Sequence, residues 1–356
     1  MSKDLQVALV GYGLAGRVFH APLISTTEGL RLATVVTGDP ARQAQAGADL
    51  PDVEVIPDVA ALWHDADEYD LVVVATANVA HEPLARTALR RGLHVLVDKP
   101  LASDVASARA LVELARHQHR QLHVFQNRRW DSDFRTLRAL LEDGALGRVH
   151  RLESRFERWR PEPAGVWRES ADPEVMGGLL YDLGAHLVDQ ALQLLGPAKA
   201  VYAEMQAVRD ADAADDDTFV ALRHHNGAIS HLWASAVAAD LGPRFRVLGT
   251  RGAFVIEGLD SQESRLRTGE KPGQAWGEEP PQRWGRLLPS EEVVPSLPGA
   301  WPEFYRALER SLRGTGHPPV TLDGVLAAIR VLDAARESAT SGLVVQLDAG
   351  PPAPTG

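Results

Sequence analysis

The sequence predicts an α/β protein: a doubly wound parallel sheet followed by an α+β domain with a mostly antiparallel sheet. The 356 residues correspond to about two domains of ordinary size. Apolar strand-like runs alternate with helix-like segments over the first 125 residues, which is typical of a parallel sheet covered on both faces. Beyond residue 150, paired strand patterns flank Asn226-Gly227, which is a strong hairpin signal.

In the first domain, taken as residues 1–122, short apolar runs predict buried parallel strands. The predicted strands are Val7–Val10, Leu30–Val36, Leu71–Ala75 and His94–Val97, with Leu122–Phe125 completing the sheet from just past this range. Segments with helical periodicity separate them. The predicted helices are Ala15–Ile24, Pro83–Arg91 and Val105–His117.

The second domain, taken as residues 123–350, has strands that neighbour each other in sequence, which favours antiparallel pairing. They are Arg151–Phe156, Phe219–Leu222, Ile229–Trp233, Phe245–Leu248 and Ala253–Glu257. Residues 261–300 contain six prolines and five glycines, so we expect a long irregular loop there. The acidic run Asp210–Asp217 is expected to be solvated, and residues 351–356 to form a disordered tail.

Composition excludes several classes of protein. There are 37 basic and 48 acidic residues, a net charge of −11, which argues against a nucleic-acid binder. Without cysteine there are no disulfides, thiol nucleophiles or cysteine-ligated metals. Apolar runs such as Leu71–Ala77 are far shorter than a membrane span. We therefore expect a cytoplasmic protein with no membrane partner and, because its histidines lack ligand spacing, no metal.

A glycine-rich turn follows the first strand. Gly11-Tyr12-Gly13-Leu14-Ala15-Gly16 fits G-x-G-x-x-G between a strand and a helix, the context that gives this pattern meaning. Gly11 permits the tight turn, Gly13 lets the backbone approach a pyrophosphate, and Gly16 lets the helix pack close to the strand. The helix N-terminus supplies N–H groups for phosphates. The motif predicts a Rossmann dinucleotide site, with a plain tight turn as the alternative.

The end of the second strand bears on the choice of cofactor. Thr37 stands where an NAD site usually offers a carboxylate to the ribose 2′-hydroxyl. Arg42 opens the next helix, within reach of a 2′-phosphate. These two residues favour NADP, whereas Asp39 keeps NAD open as the alternative.

Polar residues follow the next two strands, where ligands of a doubly wound sheet bind. Thr76 and Asn78 are expected to contact the cofactor, and His81 either joins them or closes the following helix. The strand at His94–Val97 ends in Asp98-Lys99-Pro100. A lysine at this edge can stabilise a developing alkoxide, although a plain surface lysine is the alternative.

Asp182 and His186 lie four residues apart in a helical pattern behind Gly177-Gly178, so they share a helix face. A histidine can accept a hydroxyl proton as hydride leaves the neighbouring carbon, and the aspartate can orient its ring. The alternative is a solvent-facing stripe that Asp189 and Gln193 continue.

Together the glycine-rich turn, the Asp98-Lys99-Pro100 triplet and the Gly177–His186 motif resemble the Gfo/Idh/MocA oxidoreductases. The resemblance implies a Rossmann domain, then an open-faced sheet that often forms a homodimer or homotetramer interface, and Lys99, Asp182 and His186 as the catalytic set. Asp98 departs from the usual Glu.

A finer resemblance is to the bacterial branch of NADP-dependent scyllo-inositol dehydrogenases. It is carried by Gly11–Pro22, by Gln126–Asp131 and by Trp159-Arg160-Pro161. It makes further residues candidates for cofactor or substrate contact, with packing as the alternative for the tryptophans: Asn127 for the cofactor, and Arg128, Trp130, Trp159 and Arg160 for the substrate.

The expected function is hydride transfer between NADP or NAD and a secondary alcohol or ketone of a polyol, inositol or sugar. Two alternatives stay open: a cofactor-binding regulator without turnover, and a reductase of a non-sugar substrate such as an imine. The presence of Lys99, Asp182 and His186 counts against the first, and the Asp/His pair against the second.

Overall fold

The computed structural model describes residues Lys3–Leu347, which divide into two compact units. The first unit contains the residues up to Ser132 and two returning segments, Asp260–Glu278 and Pro298–Leu326. The second unit contains Asp133–Leu259, Glu279–Leu297 and the residues from Ala327 onward. The units differ from the predicted ranges 1–122 and 123–350 because the chain returns to the first unit twice. The tail predicted at 351–356 lies outside the described residues.

The first unit is built on a parallel sheet. Its strands are β1 (Leu5–Val10), β2 (Leu30–Val36), β3 (Glu54–Ile56), β4 (Leu71–Val74), β5 (His94–Asp98) and β6 (Leu122–Phe125). They lie in the order β3-β2-β1-β4-β5-β6, the strand order of a dinucleotide-binding doubly wound sheet. The order reverses beside β1, so this fold offers a ligand crevice beyond the carboxyl ends of β1 and β4.

The second unit is built on a mostly antiparallel sheet. Its strands are β7 (Val149–Glu157), β8 (Ala198–Gln206), β9 (Asp217–His224), β10 (Ile229–Ser235), β11 (Phe245–Gly249), β12 (Ala253–Ile256), β13 (Gly285–Leu288), β14 (Glu292–Val294) and β15 (Val345–Gln346). Their order is β14-β13-β12-β11-β7-β10-β9-β8-β15, and β7 and β10 pair in parallel. The predicted fold class is confirmed.

Helices cover these sheets. They are α1 (Ala21–Ser25), α2 (Pro40–Asp49), α3 (Val59–His64), α4 (His81–Arg90), α5 (Val105–His117), α6 (Ser132–Glu142), α7 (Ala185–Leu195), α8 (Gln262–Arg267), α9 (Trp301–Leu312) and α10 (Leu322–Ser341). Wider π-helical segments lead into two of them, Ala15–His20 into α1 and Leu180–Gly184 into α7. The fully buried Val188 and Ala191 of α7 belong to the core of the second unit together with Phe156 and Leu152 of β7.

A buried polar network of the first unit anchors both returning segments. Arg128 lies 2.5 Å from Glu263 and 3.5 Å from Asp131. The Trp301 indole N–H donates to Asp131 at 2.7 Å, and Gln262 donates to the main chain of Trp130. Buried ion pairs that keep all partners hold a segment firmly, because losing one partner leaves an uncompensated charge.

Two expectations for the second half of the chain are wrong. Residues 261–300 contain α8, β13 and β14, because the prolines and glycines fall between these short elements. The acidic run is not fully solvated, since Asp216 is 2% exposed and pairs with Arg209 at 2.8 Å. Among residues 3–347, no helix combines the length and apolar character needed to cross a membrane.

Candidate active site

In the glycine-rich turn of the first unit, there is space for an added side chain at Gly13 and none at Gly11 or Gly16. Gly11 has a φ of +101°, and a Cβ there would overlap with the Ala75 carbonyl. A Cβ on Gly16 would overlap with the Gly11 carbonyl, whereas one on Gly13 would lie 3.7 Å from the Arg42 guanidinium. Gly11 and Gly16 are therefore required by packing, and Gly13 leaves its backbone open to a ligand.

The other residues of the turn differ in how far their side chains are buried. The Tyr12 side chain is 3% exposed and its hydroxyl donates to Asp49 at 3.1 Å. Burial, with Asp49 beside it, raises the pKa of Tyr12 above its usual value. Leu14 is exposed and Ala15 is buried. Because Tyr12 points into the protein, it presents the peptide backbone, rather than its ring, to the space above Gly13.

The end of β2 places a hydroxyl and a guanidinium close to the same turn. Thr37 follows β2 and is buried. Asp39 caps α2, where its carboxylate accepts from the N–H groups of Ala41 and Arg42 at 2.9 and 3.3 Å. The exposed Arg42 side chain lies 3.5 Å from Asp39. Asp39 is thus already used as an N-cap.

The ends of β4 and β5 meet at the same sheet edge, as predicted, because Val74 is paired in register with Val97. Thr76 and Lys99, beyond these ends, are both partly buried. Asn78 is buried. Asp98 folds back on the turn, where its Oδ1 accepts from the Lys99 N–H at 2.8 Å. This short carboxylate therefore braces the backbone that carries Lys99.

His81, the first residue of α4, is 1% exposed. Its Nδ1 lies 2.7 Å from the Pro100 carbonyl oxygen and its Nε2 lies 3.3 Å from that of Thr76. Burial lowers the pKa of His81, while the bond to Pro100 and the charge of Asp98 oppose that shift. The ring contacts the turns on which cofactor contacts are predicted, and it is enclosed by them.

In the second unit, two glycines precede the helix that carries Asp182 and His186. A Cβ on Gly177 would overlap with the Ser170 carbonyl. Gly178 has a φ of +91°, and a Cβ there would overlap with the Asp215 carboxylate. That carboxylate accepts from the Leu180 N–H at 2.8 Å and from the Thr218 hydroxyl. Asp215 therefore anchors the start of the helix, and Gly178 makes room for it.

Asp182 and His186 lie on one continuous helical stretch, Asp182 in the π-helical segment and His186 in the first turn of α7. Segments of this type are frequent at functional sites. His186 is 6% exposed, and Asp189 is 2% exposed. A solvent-facing stripe is therefore wrong for His186 and Asp189, although Gln193 is exposed. The His186 ring lies 6.4 Å from that of Phe156, between centroids.

A cavity of about 150 Å³ within the second unit has Asp182 in its wall. Asp182 lies 3.8 Å from Arg168, whose guanidinium stacks on Trp167 at 4.6 Å. Other charged side chains surround the cavity, namely Arg158, Arg160, Glu162, Glu169, Arg209 and Asp215. Both cations and carboxylates line it, which suits a polar, hydroxyl-rich molecule that both accepts and donates hydrogen bonds.

The structure separates the remaining predicted contact residues by exposure. Asn127 and Arg128 are buried, and Arg128 belongs to the ion-pair network described above. Trp130 packs edge-on against Phe304 with centroids 5.5 Å apart, which favours its packing role. Trp159 is 57% exposed, and Arg160 is exposed beside the cavity.

Asp215 is a site residue that sequence reasoning missed. It stands inside an acidic run, which by composition indicates a solvated surface. Burial raises its pKa, and the hydrogen bonds from Thr218 and Leu180 oppose that shift. The glycine at position 178 indicates a position where a side chain is not tolerated. The residue that occupies the space, Asp215, is 37 positions away in sequence, and only the fold brings the two together.

Comparison with known proteins covers both units. Residues 5–126 match the model of an oxidoreductase family with an NAD-binding Rossmann fold, and residues 134–255 match the model of the GFO/IDH/MocA C-terminal domain. The first match contains the glycine-rich turn and Lys99, and the second contains Asp182 and His186.

Relatives that align with nearly the whole chain are also oxidoreductases by name. The chain is 39% identical to the oxidoreductase YdgJ of Escherichia coli, covering 95% of this chain and 97% of that one. It is 31% identical to the scyllo-inositol 2-dehydrogenase (NADP(+)) IolW of Bacillus subtilis, covering 97% and 96%. The solved structure of the oxidoreductase yvaA from Bacillus subtilis superposes with a TM-score of 0.91 at 31% identity, covering 98% and 99%.

Proposed function

This chain belongs to the Gfo/Idh/MocA family of oxidoreductases, and from that premise we propose its reaction. It transfers a hydride between NADP and a secondary alcohol or ketone of a polyol, inositol or sugar. The observation that carries the proposal is the placement of Asp182 in the wall of a polar cavity, one helical turn before the nearly buried His186. Alcohol oxidation requires a proton acceptor close to the substrate hydroxyl, and the helical stretch that carries Asp182 into the cavity wall also carries His186.

The residues of the first unit fit a dinucleotide. The open backbone at Gly13 and the N–H groups at the start of the following helical segment suit a pyrophosphate. Thr76, Asn78 and Asn127 are proposed to contact the rest of the cofactor. When bound, the oxidised nicotinamide ring supplies the acceptor for the hydride.

The chain's own residues then manage the proton and the charge. The His186 imidazole accepts the hydroxyl proton of the substrate, and Asp182 orients the substrate or the ring. The Lys99 ammonium stabilises negative charge that develops on the same oxygen. In the reverse direction His186 returns the proton to the carbonyl oxygen. Trp159 and Arg160 are proposed to contact the substrate, whereas Arg128 pairs with Glu263 and Trp130 packs against Phe304 within the first unit.

Preference for NADP rests on Arg42 and Asp39. Arg42 is exposed and lies next to Gly13, where a 2′-phosphate on the adenosine ribose would meet a guanidinium. Asp39, the residue that favoured NAD, caps α2. The name of the relative IolW supports the same preference.

We propose further that the enzyme is cytoplasmic and works as a homodimer or homotetramer joined through the sheet of the second unit. Aromatic side chains of β9 and β10 lie side by side on one face of this sheet, with Phe219 and Trp233 centroids 5.2 Å apart. Light scattering on the purified protein should give two or four times the chain mass.

The proposal is tested by fluorescence titration with NADPH and NADH, followed by a panel of polyols, inositols and sugars with each oxidised cofactor. We expect tighter binding of NADPH and turnover with at least one member of the panel. Tighter NADH binding would overturn the cofactor assignment. Binding of cofactor without turnover on a broad panel would favour a regulator instead.

A further inference from the structure

The His81 imidazole is a buried titratable group that the proposed reaction does not use. Its two ring nitrogens face main-chain carbonyl oxygens from two different turns, Pro100 at 2.7 Å from Nδ1 and Thr76 at 3.3 Å from Nε2. These turns follow β5 and β4. They carry the predicted cofactor contact Thr76 and the lysine that precedes Pro100.

The chemistry of the two partners identifies the donor atom. A carbonyl oxygen can only accept, and a neutral imidazole has a single N–H. Burial, which lowers the pKa of His81, keeps the ring neutral near pH 7. The proton is therefore assigned to Nδ1, which makes the shorter contact and donates to the Pro100 carbonyl. The longer contact, from Nε2 to the Thr76 carbonyl, is then not a hydrogen bond.

The bond to Pro100 acts at the point where the sheet stops holding the chain. Pairing of β5 with β4 ends at Val97 and its pairing with β6 ends at Asp98, so the sheet does not fix the residues beyond Asp98. Asp98 accepts from the Lys99 N–H, and His81 holds the carbonyl of the residue that follows. Lys99 therefore lies between two hydrogen bonds that fix its backbone on either side.

We propose that His81 is a positioning residue for Lys99: by donating from Nδ1 to the Pro100 carbonyl, it fixes the direction in which the lysine side chain leaves the turn. The expected effect of His81 on turnover rests on the proposed function, in which Lys99 stabilises the substrate oxygen. The expected effect of His81 on the position of the Lys99 side chain is independent of that function. A misplacement of about 1 Å in such a group can cost about a hundredfold in rate.

Three substitutions separate the two ring nitrogens. Asparagine at position 81 can donate from a place close to Nδ1, glutamine from a place close to Nε2, and alanine from neither. We therefore expect His81→Asn to retain the position of Lys99, and His81→Gln and His81→Ala to lose it. The exposed His64 provides a control in His64→Ala. Circular dichroism and NADPH titration check that each variant is folded.

Labelling with an amine-reactive reagent measures the lysine directly. The chain has lysine only at positions 3, 99, 199 and 271, so each labelled peptide is resolved by mass spectrometry and the exposed Lys271 serves as internal reference. We expect Lys99 to label about fivefold faster in His81→Gln and His81→Ala, and at the wild-type rate in His81→Asn and His64→Ala. Equal Lys99 rates in all folded variants would overturn the proposal.

Turnover then distinguishes this proposal from the proposed function. If both hold, kcat falls by about tenfold in His81→Ala, and adding His81→Ala to Lys99→Ala causes no further loss, because interacting residues are not additive. Altered labelling with unchanged kcat would support the positioning role and remove Lys99 from the reaction. A further loss of kcat in the double variant would show that His81 acts independently of Lys99, and would overturn the proposal.

Discussion

Each unit contains a glycine turn that leads into a π-helical segment, and the two turns use their glycines differently. In the first unit, an added Cβ on Gly13 meets nothing closer than the Arg42 side chain at 3.7 Å. In the second unit, an added Cβ on Gly178 overlaps with the Asp215 carboxylate. The first turn leaves room for a ligand, whereas the second is filled by the protein itself.

This difference predicts that the first turn binds the cofactor and that the second turn positions the helix of Asp182 and His186. A glycine with open space above it permits backbone contact with a phosphate, and replacing it should affect ligand affinity and leave folding intact. A glycine with a carboxylate against it permits an internal bond, and replacing it should affect the fold around Asp182 and His186. The following substitutions test this division, from the largest expected effect to the smallest.

Replacing His186 with alanine should lower turnover by about a hundredfold, because it removes the proposed proton acceptor. NADPH affinity should stay within about twofold of wild type, since the cofactor is assigned to the first unit. Steady-state rates and fluorescence titration on the same preparation measure both quantities. An equal loss of NADPH affinity and of turnover would contradict the assignment of cofactor binding to the first turn alone.

The Gly178→Ala substitution should destabilise the protein by about 2 kcal/mol more than Gly227→Ala. Both glycines have positive φ, +91° and +87°, but Gly227 has no atom within 4 Å of an added Cβ. The difference therefore isolates the displacement of Asp215. Thermal unfolding of the two variants measures it, and equal losses would show that Asp215 contributes nothing at this position.

The Gly13→Val substitution should weaken NADPH binding by about tenfold or more, because the branched side chain fills the space proposed for the pyrophosphate. The unfolding temperature should not fall, as the backbone there has open space. Gly47→Val in α2, also with open space, is the matched control for adding a side chain. Unchanged NADPH affinity in Gly13→Val would place the phosphates elsewhere.

The smallest effect is expected for Arg42→Ala, which should weaken NADPH binding by about fivefold and leave NADH binding unchanged, because an exposed guanidinium contributes about 1 kcal/mol to a phosphate contact. The ratio of the two dissociation constants measures it. A parallel loss for both cofactors would indicate that Arg42 contacts a group other than the 2′-phosphate.

Sequence patterns were sufficient where the signal is local. The bounds of β2, α5 and β6 match their predicted ranges to the residue, because each is a continuous apolar or periodic run between turn residues. The glycine-rich turn and the helix of His186 also depend on short-range spacing. In each case the residues that decide the structure are neighbours in the chain.

Contacts between distant segments could not be predicted in this way. Asp215 anchors the helix start at Leu180, and Arg128 pairs with Glu263 across 135 positions. In composition these residues look like ordinary surface charges. They are buried because the fold brings an oppositely charged or hydrogen-bonding residue next to them. The sequence pattern of one segment does not predict which distant segment supplies that residue.

The central claim is that hydride moves from a carbinol carbon to the nicotinamide while His186 takes the proton. It is tested most directly with a substrate found in the panel and labelled with deuterium at the carbon that is oxidised. NMR of the recovered cofactor should show deuterium at nicotinamide C4 with the wild-type enzyme, and about a hundredfold less per unit time with His186→Ala. Release of the deuterium to solvent, or equal transfer by both proteins, would contradict the account.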